Sequence, residues 1–257
     1  MVTALIVLFL SSSQPKLVGI VGAMDVEVAL IKEEMVVEKV DTISRRIFTV
    51  GKLDGVPCIC VRAGIGKVNA ALTAEILIME YGVDVLVFTG VAGGINPELQ
   101  IGDIVIAERV MHHDFGQITP DAFVPWDTTG FLADSFLVAI TEQAAENVMF
   151  DSVPQKIRKK ATYFPRVIIG RVTTGDQFIA SEEKRAWIEK MFRADCVEME
   201  GAAVAQVCVI NNVPFVIIRS LSDLANENAD IDFETFVLYA AKNSSLIVRE
   251  IMKLLKE

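Results

Sequence analysis

A three-layer α/β/α fold around a central twisted, mixed β-sheet is predicted by three observations. Short apolar runs of the buried-strand kind alternate along the chain with segments of helical periodicity, the pattern of a largely parallel sheet covered on both faces. Glycine-rich or polar stretches follow several of these runs directly, at Gly22, at Gly90–Gly94 and at Thr173–Asp176. A chain of 257 residues that is 52% apolar can bury a core of the size such a sheet needs.

The elements follow in order. Leu17–Gly22 reads as a buried strand ending in glycine, and Met24–Glu34 as a helix with Val26, Leu30 and Ile31 at helical spacing. Asp54-Gly55 between Arg46–Leu53 and Val56–Arg62 is a hairpin signal, which makes the sheet mixed. Gly64-Ile65-Gly66-Lys67 then opens an alanine-rich helix ending near Tyr81. Val83–Thr89 is a second buried strand, running into glycines at 90–94 that either let backbone approach a ligand closely or only make a turn, and Ile104–Ile106 is a short one. Residues 111–132, rich in Pro, Asp and Thr, read as irregular. A helix is expected over 134–148, a strand over Arg166–Val172, a helix over Glu200–Ile210 and a strand over Phe215–Arg219. Asp232–Leu255 closes the chain as a helix, with Phe233, Phe236, Val237 and Ala240 on one face.

Composition excludes several functions. A formal charge of −10 argues against a nucleic-acid partner, which needs a basic surface. The run Lys156-Ile157-Arg158-Lys159-Lys160 reads as a solvated turn. Cys58 and Cys60 share one strand face, and Cys196 and Cys208 form no CxxC, so buried free thiols in a reducing compartment are expected, with no metal site and no cofactor. Residues 1–16 read as an apolar N-terminal extension and 17–257 as a single domain. The stretch Val2–Leu10 is too short to span a bilayer, so no stable membrane insertion is expected. It resembles the apolar part of an export signal without the usual basic start; a cytoplasmic protein is the first expectation and export the second.

With only two histidines, His112 and His113, acid–base chemistry falls to carboxylates. Val197-Glu198-Met199-Glu200 and Arg219-Ser220-Leu221-Ser222-Asp223 flank one helix–strand unit, which returns Glu200 and Asp223 to the same end of the sheet, where open α/β sheets bind ligands. Each has a plainer reading. Glu198 and Glu200 suit a helix first turn, Asp223 suits an N-cap, and Glu27 suits a solvated helix face. Arg219 ends a buried strand and needs a carboxylate partner, for which Glu200 is a candidate. The glycines at 90–94 fit neither a dinucleotide fingerprint nor a phosphate-binding loop.

Taken together the motifs are more specific. Gly22-Ala23-Met24-Asp25-Val26-Glu27, Ala63-Gly64-Ile65-Gly66-Lys67-Val68, Thr89-Gly90-Val91-Ala92-Gly93-Gly94, Thr174-Gly175-Asp176-Gln177-Phe178-Ile179 and the two segments above occur in that order. The set resembles that of the 5′-methylthioadenosine/S-adenosylhomocysteine nucleosidases of the nucleoside phosphorylase superfamily, over roughly residues 17–255. The resemblance implies hydrolysis of the N-glycosidic bond of small thio-substituted adenosines, in a nucleoside phosphorylase-like fold and a homodimer. It implies that Glu27 activates the attacking water, Asp223 protonates adenine and Glu200 binds the ribose hydroxyls. Met199 would pack on the ribose, Phe178 would stack on adenine, and Ile179 and Gly93 would offer backbone. Arg219 and Ser222 would orient the carboxylates and water.

Two other functions remain open at this level. A phosphate-dependent nucleoside phosphorylase would need cations after the first strand, where Asp25 and Glu27 stand instead. A non-catalytic nucleoside-binding or surface protein would have no use for Glu27. Two departures from the family pattern bear on substrate breadth. Residues 111–126 do not match the aromatic-rich segment that many members pass to a dimer partner, where Phe115, Phe123 or Trp126 could substitute. Val91 stands where serine is common.

Overall fold

The computed structural model describes residues 17–154 and 162–256. The apolar N-terminal stretch and the basic run at 156–160 lie outside the described residues. The element order is β1 (Val18–Gly22), α1 (Asp25–Glu34), β2 (Val36–Ile43), β3 (Arg46–Leu53), β4 (Val56–Arg62), α2 (Lys67–Tyr81), β5 (Val85–Gly94) and β6 (Ile104–His112). There follow β7 (Gly116–Ile118), β8 (Phe123–Pro125), β9 (Phe131–Leu132), α3 (Ser135–Asn147), β10 (Val167–Thr174), α4 (Glu182–Phe192), β11 (Cys196–Glu198), α5 (Gly201–Asn211), β12 (Phe215–Asp223) and α6 (Ala229–Leu254).

The expected three-layer α/β/α arrangement forms around a mixed sheet of order β11-β10-β6-β12-β5-β1-β4-β3-β2. β4, β1, β5 and β12 run parallel to one another, while β3 meets β4, and β6 meets β12, antiparallel. β11 pairs with β10 on one side and with β5 on the other, so β5, β12, β6, β10 and β11 close into a ring. The rest of the sheet splays open toward β2. One apolar core packs α2 and α5 against one face through Ala74, Leu77, Ala202 and Val204. A second packs α1, α3 and α6 against the other through Ile31, Leu137, Ile247 and Ile251. β5 is buried along its whole length, as a strand covered on both faces must be.

The Asp54-Gly55 hairpin forms as its sequence demands, with both residues at positive φ and Leu53 opposite Val56. A second hairpin of the same kind joins β2 to β3 through Ser44 and Arg45, at φ 50° and 62°. Neither residue advertises a left-handed turn, and β2 is almost wholly exposed, so the strand left no apolar alternation to read. α4 was likewise not expected. Its apolar residues are sparse, and it is fixed by Ser181 accepting the Lys184 N–H and by buried Ile188 and Phe192. The stretch 111–132 is less irregular than expected. β6 runs to His112, β7 and β8 pair as a ribbon, and β9 lies along β6. Gly90–Gly94 do not form a turn: they are the last part of β5.

Candidate active site

The cleft begins with those β5 glycines. A Cβ on Gly90 would drive into the Arg219 guanidinium and the Glu27 carboxylate, and a Cβ on Gly93 would lie 2.7 Å from Asp223 Oδ1. Their lack of side chains lets three charged groups reach one place. Gly93 also pairs with both Val197 and Asp223, at the seam where the ring of strands closes.

Glu27 stands in the first turn of α1, but its carboxylate folds back. It accepts the Met24 N–H (2.8 Å) through Oε2 and the Val91 N–H (3.0 Å) through Oε1. Only 2% of the residue is exposed. Burial raises its pKa, against the pull of the nearby Arg219 charge and the two N–H donors.

β12 carries Arg219, Ser222 and Asp223. A bulge between Leu221 and Asp223 breaks the alternation of faces, so the consecutive residues Ser222 and Asp223 both line the cleft. Asp223 accepts from the Ser222 hydroxyl (2.9 Å) and from the Ala225 N–H (2.9 Å). Burial pushes its pKa up to about 6 against those two donors, and the charges of Asp232 and Asp230 on α6 push the same way.

Glu198 and Glu200 differ sharply, although two residues apart. Glu198 ends β11 and is bound on every side. It takes hydrogen bonds from the Arg219 Nη2 and the Thr174 hydroxyl, and from the N–H groups of Glu200 (3.0 Å) and Gly201 (2.7 Å) that open α5. Glu200 is the N-cap residue of α5. Its Oε1 accepts the Gly66 N–H (2.8 Å), and its Oε2 lies 3.8 Å from Arg219. The expected Arg219–Glu200 pair is therefore corrected: Glu198 is the main partner and Glu200 a secondary one. Arg219 is fully buried, with its guanidinium 4.4 Å from the centre of the Phe88 ring. Burial opposes its charge, but Glu198, Glu200 and Glu27 more than offset that. Burial and the Glu198 charge drive the Glu200 pKa upward.

The result is a cleft of about 580 Å³, the solvent at its mouth included. Of the residues expected from sequence, Glu27, Gly93, Met199, Glu200, Ser222 and Asp223 line it. So do Phe178 and Ile179, on the loop between β10 and α4. Arg219 does not; it lies behind Gly90, against the carboxylates of Glu198 and Glu200. Phe178 meets Phe233 of α6 edge-on, with ring centres 5.8 Å apart.

A model of the phosphorylase superfamily matches residues 17–253. A 5′-methylthioadenosine/S-adenosylhomocysteine nucleosidase of Marinomonas sp. is 37% identical over 242 residues, covering 92% of this chain and 98% of that protein. This chain belongs to that nucleosidase family. Solved members share the fold. The nucleosidase of Colwellia psychrerythraea in complex with adenine superposes with a TM-score of 0.81 at 37% identity, covering 94% of this chain and 96% of its own. That of Neisseria meningitidis, in complex with methylthio-immucillin-A, gives 0.79 at 36%, covering 93% and 99%.

Two cleft residues, Phe233 and Glu198, have a place in the site that the sequence alone does not show. Phe233 had been placed on the apolar face of a core helix; it is half-buried and lines the cleft with Met24, Ile65 and Val91. Its signal, an aromatic one turn into α6, is shared by many core residues. Glu198 had looked like a helix-opening glutamate. Among the described residues no group of three or more His, Cys, Asp or Glu side chains could hold a metal ion. The four cysteines are buried, and burial pushes Cys58, Cys60 and Cys208 up to about 12.

Proposed function

We propose that this protein hydrolyses the N-glycosidic bond of 5′-methylthioadenosine and S-adenosylhomocysteine, releasing adenine and the thioribose. The convergence of Glu27, Glu200 and Asp223 on one buried cleft carries the reading. Glu27 is held at Val91 and Asp223 at Gly93, two residues farther along β5, or about 7 Å by strand rise.

Adenine leaves poorly as an anion. Asp223, whose pKa lies near 6, can hold a proton and give it to N7 of adenine as the bond from the sugar to N9 breaks. The sugar is left as an oxocarbenium-like cation, as in O-glycoside hydrolysis. Glu200, with Glu198 and Arg219 fixed behind it, binds the ribose hydroxyls and, when ionised, stabilises that cation; burial and the Glu198 charge disfavour the ionised form below about pH 8. Water then attacks the anomeric carbon, and its proton passes to Glu27. Phe178 stacks on adenine, Ile179 and Gly93 present backbone to the substrate, and Met199 packs on the ribose. Ser222 orients Asp223, and Arg219 orients the sugar-side carboxylates.

The same charges disfavour phosphorolysis. Phosphate entering beside Glu27 would meet carboxylates, and the buried Arg219 guanidinium is already committed to Glu198. Adenine release from methylthioadenosine in phosphate-free buffer tests the reading. Release is expected; none, from correctly folded protein, refutes it, and strict phosphate dependence turns it into phosphorolysis.

A homodimer is part of this proposal. α2, α5 and the segment around Phe115 and Phe131 frame an apolar groove, with Val68 and Ile210 exposed beside it. Light scattering of the purified protein should give twice the chain mass. We further propose that residues 17–257 act as one cytoplasmic domain, which limited proteolysis and cell fractionation test.

A further inference from the structure

Lys67, Asp114 and Asp176 have no role in the mechanism above, yet they tie the two halves of the cleft together. Gly66 donates its N–H to Glu200 Oε1 at 2.8 Å. The next residue, Lys67, donates its N–H to Asp176 Oδ1 at 2.8 Å. Asp176 in turn donates its N–H to Asp114 Oδ2 at 2.9 Å, and Asp114 Oδ1 accepts from Lys67 Nζ at 2.6 Å. These contacts close a ring through three loops: the one before α2, the one after β6, and the one between β10 and α4. One point of the ring is the neighbour of Gly66. Another lies two residues before Phe178.

The link to Gly66 is close. Gly66 holds φ +98°, and a Cβ there would lie 3.1 Å from Asp176 Oδ1. Displacing Asp176 therefore displaces the backbone that carries the donor to Glu200. The Lys67 and Asp114 side chains are 24% and 16% exposed, shielded enough for their charges to act strongly. Burial acts against the Asp114 charge, but Lys67 and the Asp176 N–H outweigh it and hold the carboxyl below its usual range.

We propose that Lys67, Asp114 and Asp176 are positioning residues that hold the sugar-side donor Gly66 and the base-side loop of Phe178 and Ile179 in one register. The proposal rests on the site reading given above. A misplacement of about 1 Å from outside the reacting centre can lower a rate about 100-fold. The clasp is where such a misplacement would arise in this cleft.

The test compares Lys67→Met, Asp114→Asn and Asp176→Ala with the conservative Lys67→Arg and Asp176→Asn. Asn at 176 keeps the oxygen that accepts the Lys67 N–H, and Arg at 67 keeps the cation. Steady-state kinetics with methylthioadenosine, calorimetric binding of adenine and thermal melting are read on each. Lys67→Met and Asp176→Ala are expected to lose about 100-fold in kcat/KM, in line with such a misplacement. They should also bind adenine more weakly while melting close to wild type, and the conservative pair should recover most of both. The Lys67→Met/Asp114→Asn double variant should be no worse than the poorer single, since both break one contact. Unchanged kcat/KM and adenine affinity in the folded variants, or strictly additive losses in the double, would overturn the proposal. Should Asp176→Ala fail to fold, Lys67→Met and Asp114→Asn decide. The calorimetric arm stands apart from turnover: a wild-type protein that binds adenine but releases none refutes the hydrolase, while weaker adenine binding in the variants still supports the clasp.

Discussion

On the wall that the proposed mechanism assigns to the sugar, Glu27, Glu198 and Glu200 share one guanidinium, that of Arg219. On the base side, Asp223 is held by a hydroxyl and a backbone N–H, both neutral. The first arrangement sets one cation against three carboxyls, and burial still raises Glu27 and lifts Glu200 to about 8. The second leaves a carboxyl that gains from keeping its proton. Burial thus favours the protonated carboxyl on both walls, and Glu200, lifted to about 8, holds its proton to higher pH than Asp223 at about 6. What separates the two walls is where the buried Arg219 lies, since all four groups are carboxylates of similar burial.

The contrast can be broken first at Asp223. Asp223→Asn removes the proton donor but keeps shape and hydrogen bonding, so kcat should fall by about 10²–10⁴-fold, as for loss of a general acid. Folding should be retained, as checked by melting and steady-state kinetics. Glu27→Gln should act comparably on kcat, with adenine binding preserved, because its loss falls on the water and leaves the base alone. Calorimetry with adenine separates the two variants from a general collapse of the site.

Arg219→Met attacks the other wall. It strands Glu198 without its counter-charge, and breaking a buried pair from one side destabilises by about 3–5 kcal/mol. Chemical denaturation should show that loss, together with weakened turnover. Replacing Asp223 should not show it.

A pH titration sharpens the comparison. In the folded protein Asp223 keeps its proton up to about pH 6, against 3.8 for the ordinary group. Its raised pKa adds stability that is fully present below pH 3.8 and is lost as pH rises through 6, on the order of 3 kcal/mol in all. Asp223→Asn should flatten that part of the stability profile. The kcat/KM of the wild type should decline above about pH 6, as the free enzyme gives up the donor proton. The smallest effect is expected at Phe178. Phe178→Ala should weaken adenine binding by about 1–3 kcal/mol, the worth of one aromatic stacked on a base, with kcat less affected.

Much of this cleft could be read from the chain because its residues sit at the ends of strongly patterned strands. Glu27 follows β1, Gly93 lies next to last in β5 and Asp223 ends β12, and each of these strands holds a short apolar run. The division of labour between Glu198 and Glu200 could not be read. β11 is three residues long, too short to show which of two alternating acids turns inward, and a helix-opening glutamate looks the same whether it caps or catalyses. Phe233 was hidden for the opposite reason: an amphipathic helix makes every apolar residue on one face look like core. The glycines at 90–94 misled because glycine after a strand usually marks a turn. Here β5 continues, and the missing side chains are needed by Arg219, Glu27 and Asp223.

Closure of β5, β12, β6, β10 and β11 into a ring has a consequence for solubility. A strand paired on both sides cannot recruit a foreign strand, so the part of the sheet that carries the cleft is shielded from edge-to-edge aggregation. The exposed ladder lies at the far end, on β2, where Val36, Val37 and Val40 face solvent. That edge carries its own safeguards, the charged Glu38 and Lys39 and a bulge between Val37 and Lys39. When heated samples begin to associate, β2 is the strand from which fibrils would grow, and a further lysine placed there should delay them without touching catalysis.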